Sequence, residues 1–162
     1  MTFKASLDNT AKAITIGVTI LFAAIVFGEY IIIKDSTGRS TPVYTTVAVL
    51  LIYFTAFAFR PINYKILQEK LIINRLVFPV KIDRSEIKTV EVLTKEQIGI
   101  SIRTFGVGGL FGYYGSFSSF ALGSMTWYAT RRDKVVLITT TKNKKIMVTP
   151  NEAEAFVAEL RR

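Results

Sequence analysis

Two long apolar runs open the chain, and a series of short alternating runs follows them. From Ala13 to Ile33 the only charged residue is Glu29, and from Val43 to Phe59 there is none. At about 1.5 Å per residue the first run makes a helix of roughly 30 Å, the thickness of a bilayer's hydrocarbon core. The second has 17 residues, at the short end of the spanning range. Between them Lys34–Pro42 is polar and carries glycine and proline, long enough to reverse the chain and too short to be a domain. The pattern predicts a two-helix transmembrane hairpin with spans at 13–33 and 43–59 inside an N-terminal segment, residues 1–60. Both helices are apolar on every side, which fits a lipid environment better than burial, because the rest of the chain reads as strands too small to cover them.

After Arg60-Pro61 the pattern changes, marking the start of a second segment, residues 61–162. Candidate strands are Tyr64–Leu67, Lys70–Leu76, Pro79–Ile82, Ile87–Leu93, Gly99–Phe105, Met125–Ala129, Lys134–Thr139 and Lys145–Val148, separated mostly by turn-like or charged residues. These suggest a small barrel or sandwich. One helix closes the chain. Thr149 as its N-cap, Pro150 at its first position and Glu152 three residues after the cap mark its start, and Ala153, Phe156, Val157 and Leu160 form its apolar face.

Charge orients the hairpin. Lys4 and Lys12 precede the first run and Arg60, Lys65, Lys70 and Arg75 follow the second, against Lys34 and Arg39 between them. Positive charge gathers on the cytoplasmic side. The expectation is a multi-pass protein of a bacterial inner membrane, with both termini and the C-terminal domain in the cytoplasm. Glu29 lies one turn from the end of its run, beside Tyr30, where it can reach the outer interface. As an intramembrane carboxylate it is also a functional candidate, facing a partner helix or an ion path.

Composition narrows the chemistry. The 162 residues include no histidine and no cysteine, which removes the commonest general base, the thiolate nucleophile and the usual zinc ligands. No catalytic role, metal or cofactor is assigned, and an enzyme is not expected. The net charge of +9 and a pI near 9.9 fit anionic lipid headgroups better than nucleic acid for a membrane-bound chain.

The segment Ile102–Gly115, with Leu122-Gly123, Tyr128–Asp133, Thr149-Pro150 and Phe156, resembles the bacterial pleckstrin-homology-like (PH-like) family over roughly residues 64 to 160. The resemblance implies a mainly-β PH-like barrel or sandwich closed by one C-terminal α-helix, a module that often follows transmembrane helices. It implies a fold more than a function. Relatives that bind phosphoinositides cluster Lys and Arg tightly around the first two strands, and Lys65, Lys70 and Arg75 do not form such a cluster, so headgroup specificity is not implied.

Two surfaces stand out for contact. Glycines at 106, 108, 109, 112 and 115 lack the ending and spacing of a phosphate loop, which leaves a bulged or flexible excursion between strands. Aromatic residues crowd the same region, and Tyr113, Tyr114 and Phe117 are the expected contacts with the membrane interface, the helices or another subunit. Arg131, Arg132, Lys142, Lys144 and Lys145 occupy two turns that would offer a basic face to anionic lipid. The sequence therefore reads as a non-catalytic, membrane-anchored binding or scaffolding module that contacts a protein or peptide partner or another copy of itself, the anionic lipid surface, or both. An accessory subunit of a transporter or channel is the alternative.

Overall fold

A computed structural model of the chain describes residues 1–35 and 41–162; Ser36–Ser40 of the expected polar turn, with Arg39, lies outside the described residues. Helix α1 (Asn9–Asp35) starts four residues before the apolar run, because the Asp8 carboxylate accepts the Ala11 amide at 2.6 Å as an N-cap. Helix α2 spans Thr41–Phe59. Thr19 bonds Tyr53, Phe22 packs on Tyr53 and Glu29 accepts the Thr46 hydroxyl. The partners descend along α2 as they ascend along α1, so the helices are antiparallel. In α1 the stretch Asn9–Ile31 is long and apolar enough to cross a membrane, and α2 carries a shorter apolar stretch, Val43–Phe59.

The β structure is two sheets. Strands β1 (Thr2–Lys4), β2 (Pro61–Ile66), β3 (Lys70–Arg75) and β4 (Val80–Asp83) lie in sequence order in a four-stranded sheet. The second sheet contains β5 (Ile87–Thr94), β6 (Ser101–Gly109), β7 (Gly112–Ser119), β8 (Gly123–Ala129), β9 (Lys134–Thr140) and β10 (Lys145–Val148), in the order β5-β9-β10-β8-β7-β6. Among the described residues, only the β10–β8 pairing is parallel. A short helix α3 (Lys95–Ile98) links β5 to β6, and α4 (Ala153–Arg161) ends the chain.

Strand alternation divides the interior in two. Val136 and Ile138 of β9, with Val90, Ile146 and Val148, face Tyr64, Leu71 and Ile73 of the four-stranded sheet and Phe156, Val157 and Leu160 of α4. Val135 and Leu137 point the other way and join Met147, Trp127, Phe117, Tyr113, Ile98 and Ala11 in a second cluster. Burial on both faces is why 135–138 is an unbroken apolar run.

Three expectations change. The first segment is not only helical: Thr2–Lys4 pairs with Asn63–Lys65, so the residues before α1 belong to the β domain's sheet. Thr149 does not cap α4. It is buried, its hydroxyl accepts the Thr130 amide at 2.8 Å, and the helix begins at Ala153 with the expected apolar face inward. The glycine-rich region is not an excursion between strands, because it forms most of the β6–β7 hairpin, and β7 was missing from the expected strands.

Candidate functional site

Strands β6 and β7 extend past the four-stranded sheet. Tyr128 of β8 packs against the core beneath that sheet, but no residue of β6 or β7 joins it, so the outer part of this face is left uncovered. Ile102 lies opposite Ser118, Phe105 opposite Ser116 and Val107 opposite Tyr114. Ile102 and Phe105 are three positions apart, and straight alternation would send them to opposite faces. The irregularity between Arg103 and Phe105 absorbs one residue and restores both to the same face. Ile100 and Phe120 flank the Ser101–Ser119 pair at the far end. Phe105 is 79% exposed and Phe120 fully so. The result is an apolar ledge walled on one side by small serines and ending at Tyr114.

Close pairing of the hairpin requires two facing glycines. Gly106 and Gly115 are cross-strand partners with φ of 106° and 117°, and a Cβ on either would run into backbone atoms of the opposite strand. Gly109 fills a similar need, since Ile14 of α1 lies against it.

The upper end of the ledge is locked to the helices. The Phe111 amide donates to Thr15 Oγ1 at 2.9 Å, and its ring packs edge-on against Tyr53 and Phe57. The Tyr114 hydroxyl donates to the Ala56 carbonyl. The Tyr113 hydroxyl meets Asp8 Oδ1 at 3.3 Å, and burial together with the Asp8 charge pushes its pKa up to about 12. Asp8 also donates its amide to the Thr130 carbonyl.

These contacts redistribute the expected site residues. Tyr113, Tyr114 and Phe117 are buried, so they hold the hairpin against the helices and the core rather than meeting a partner. Phe117 stacks on Trp127 with ring centroids 4.9 Å apart. The exposed aromatics of the hairpin and the turn that follows it are Phe105 and Phe120. Arg132 lies over the rings of Tyr113 (4.4 Å) and Trp127 (5.7 Å), an internal cation–π stack. Arg131 pairs with Asp133 and holds that carboxyl below the usual carboxylate range by hydrogen bonding.

The lysines lie elsewhere. The Lys145 ammonium donates to the Leu122 carbonyl at the β7–β8 turn, and β10 runs parallel to β8 from there. The β9–β10 turn with Lys142 and Lys144 therefore sits at the end of β8 remote from the helices. The seven residues of β8 separate it from Arg131 and Arg132 by about 20 Å at roughly 3.3 Å per residue. The two basic turns do not form one face. Lys142 pairs with Glu86 at 3.4 Å, and with Lys144 and Lys81 it lines a polar cleft between the sheets. Glu29 faces α2 through Thr46.

At the other edge of the large sheet, side chains occupy two backbone groups of β5: Arg161 donates to the Val90 carbonyl and Gln97 accepts the Thr94 amide. Among the described residues, no three acidic side chains gather in a way that could hold a metal ion.

A family model described as Bacterial PH domain matches residues 62–162, more than half of the chain. No curated protein and no solved structure matches.

Proposed function

Because the chain belongs to the bacterial PH domain family, we propose that it is a membrane-anchored, non-catalytic binding module whose α1 and α2 cross the bilayer and whose β6–β7 ledge takes a protein partner. The anchor rests first on exposure. Of the spanning stretch of α1 only 6% is buried, whereas a core helix of a soluble protein would be mostly covered. It rests next on connectivity. The β1–β2 pairing joins residues before α1 to residues after α2, and a chain that crossed once would leave them on opposite sides. The pairing supports two crossings with both termini on one side, and the charge bias favours the cytoplasm as that side.

The single observation that carries the binding reading is the ledge itself. It combines a nine-residue outermost strand with exposed Ile100, Ile102, Phe105 and Phe120, while side chains occupy two backbone groups of the opposite edge. An extended segment of a partner can add to β6 through main-chain hydrogen bonds and seat apolar side chains on the ledge. The full-length chain is purified in mild detergent as wild type and as the double variant Ile102→Asp, Phe105→Asp. A partner identified by mass spectrometry should be lost from the variant while its melting temperature is kept. Undiminished recovery of the same partner would remove the ledge from the interface.

Glu29 reads as a clamp between the two helices, since its carboxylate already accepts the Thr46 hydroxyl of its neighbour. That contact favours an anchor over a working path in a transporter.

A further inference from the structure

Beside the last turn of α2, the β3–β4 turn (Leu76-Val77-Phe78-Pro79) presents two large apolar side chains to the outside. Leu76 is 62% and Phe78 70% exposed. The turn is fastened to the helix. The Val77 amide donates to the Ala58 carbonyl at 3.2 Å, and the rings of Phe59 and Phe78 lie 6.3 Å apart. Phe78 has a φ of 53°, a conformation that exposed turns ordinarily give to glycine or asparagine. The Arg75 guanidinium holds it there by donating from Nε to the Phe78 carbonyl at 2.9 Å, and it also lies over the Phe59 ring at 5.3 Å. An apolar residue is thus kept, by a dedicated arginine, where water would favour a small polar one.

The surroundings name the environment. On α2, Phe54 and Leu51 are exposed as well, one and two turns before the Ala58 carbonyl that the turn bonds. Arg60, at the end of the same helix, places its guanidinium over the Phe57 ring at 4.2 Å, and its side chain has no hydrogen-bond or ion-pair partner among the described residues. It also lies 5.7 Å from the Phe111 ring, and an arginine with free donors at the end of an apolar helix suits the level where headgroup phosphates meet acyl chains.

We infer that the β3–β4 turn enters the bilayer interface as a third lipid contact, with Leu76 and Phe78 among the upper acyl chains and Arg60 at phosphate level. The domain is then held at three points around its base and has a fixed tilt, which leaves the β6–β7 ledge projecting into the cytoplasm. This rests on the anchoring reading above, and the test separates the two.

The chain has no cysteine, so a single introduced thiol takes a spin label at one site. Leu76→Cys and Phe78→Cys are labelled in the full-length chain in phosphatidylcholine–phosphatidylglycerol vesicles. Leu21→Cys, on the exposed face of α1, and Phe120→Cys, at the remote turn, are the references. Collision with oxygen reports lipid, and collision with a water-soluble nickel chelate reports water. Labels at 76 and 78 should favour oxygen over nickel several-fold more than the label at 120. If 21 reports lipid while 76 and 78 match 120, the wedge is overturned and the anchor stands. If 76 and 78 are shielded from both reagents, protein covers the turn and the lipid assignment is again overturned. If 21 itself reports water, the anchoring reading falls and takes the wedge with it.

Discussion

Tyr64 is fully buried, and its hydroxyl stands at the meeting point of three segments. It donates to the Tyr128 carbonyl at 2.7 Å and accepts the Thr149 amide at 3.0 Å, tying β2 to the end of β8 and to the residues ahead of α4. Burial pushes its pKa up to about 12, and Tyr113 is raised to about 12 as well. The sign follows from linkage. A phenol that ionises near 10 in the unfolded chain and near 12 in the folded one stabilises the fold fully below pH 10. That contribution is lost as pH rises from 10 towards 12. Thermal melting of the full chain in detergent should therefore fall across this window, and Tyr64→Phe should flatten the fall. The variant should also lose about 1–3 kcal/mol at neutral pH, because the Thr149 amide is left buried without an acceptor. A wild-type melting curve that is level from pH 9 to 12 would contradict the assignment. The strand placement of Tyr64 is legible from local alternation; this network is not, because its partners lie 64 and 85 residues away.

At the scale of elements the β6–β7 hairpin departs most from what alternation suggests. Its bulge breaks the period at Arg103–Phe105, and glycines stand where strand formers are expected, so β7 reads as a loop although Tyr113 and Phe117 mark its buried face. The crowding of aromatic residues is legible as an interaction surface. Which rings face inward is not, since that depends on a register set by the Gly106–Gly115 approach. The hairpin's seat on the helices turns on Thr15, whose hydroxyl accepts the Phe111 amide while donating to the Ala11 carbonyl at 2.7 Å. Thr15→Val keeps the shape and removes the acceptor. It should cost about 1–3 kcal/mol, the penalty of a buried amide without a partner, read as a lowered melting temperature of the full chain. Thr15→Ser should restore most of it, and a Val variant as stable as wild type would mean that the hairpin is not held there.

For the whole molecule, the apolar runs and the closing amphipathic helix are legible because each is a local period carried over many residues. Strand β1 is not legible, since three residues carry no period, yet it bears most directly on the proposed topology. Its pairing with β2 joins the two ends of the helix pair on one side. A short second helix can escape a length criterion, but a sheet cannot be shared across a bilayer, so α2 must return the chain if α1 crosses. This gives a prediction that does not depend on span length. Single cysteines at Ser6, Arg39 and Glu152 are challenged in intact cells with a membrane-impermeant maleimide, in a chain that otherwise lacks cysteine. The label should reach position 39 alone, and positions 6 and 152 only after the membrane is permeabilised. Labelling of 6 and 152 on opposite sides would be incompatible with the β1–β2 pairing. Labelling of both in intact cells, with 39 protected, would keep the pairing and reverse the orientation drawn from the charges. Adding lysines to the segment between the helices should weaken the bias and produce that second pattern in part of the population, because orientation follows the difference in positive charge between the two sides.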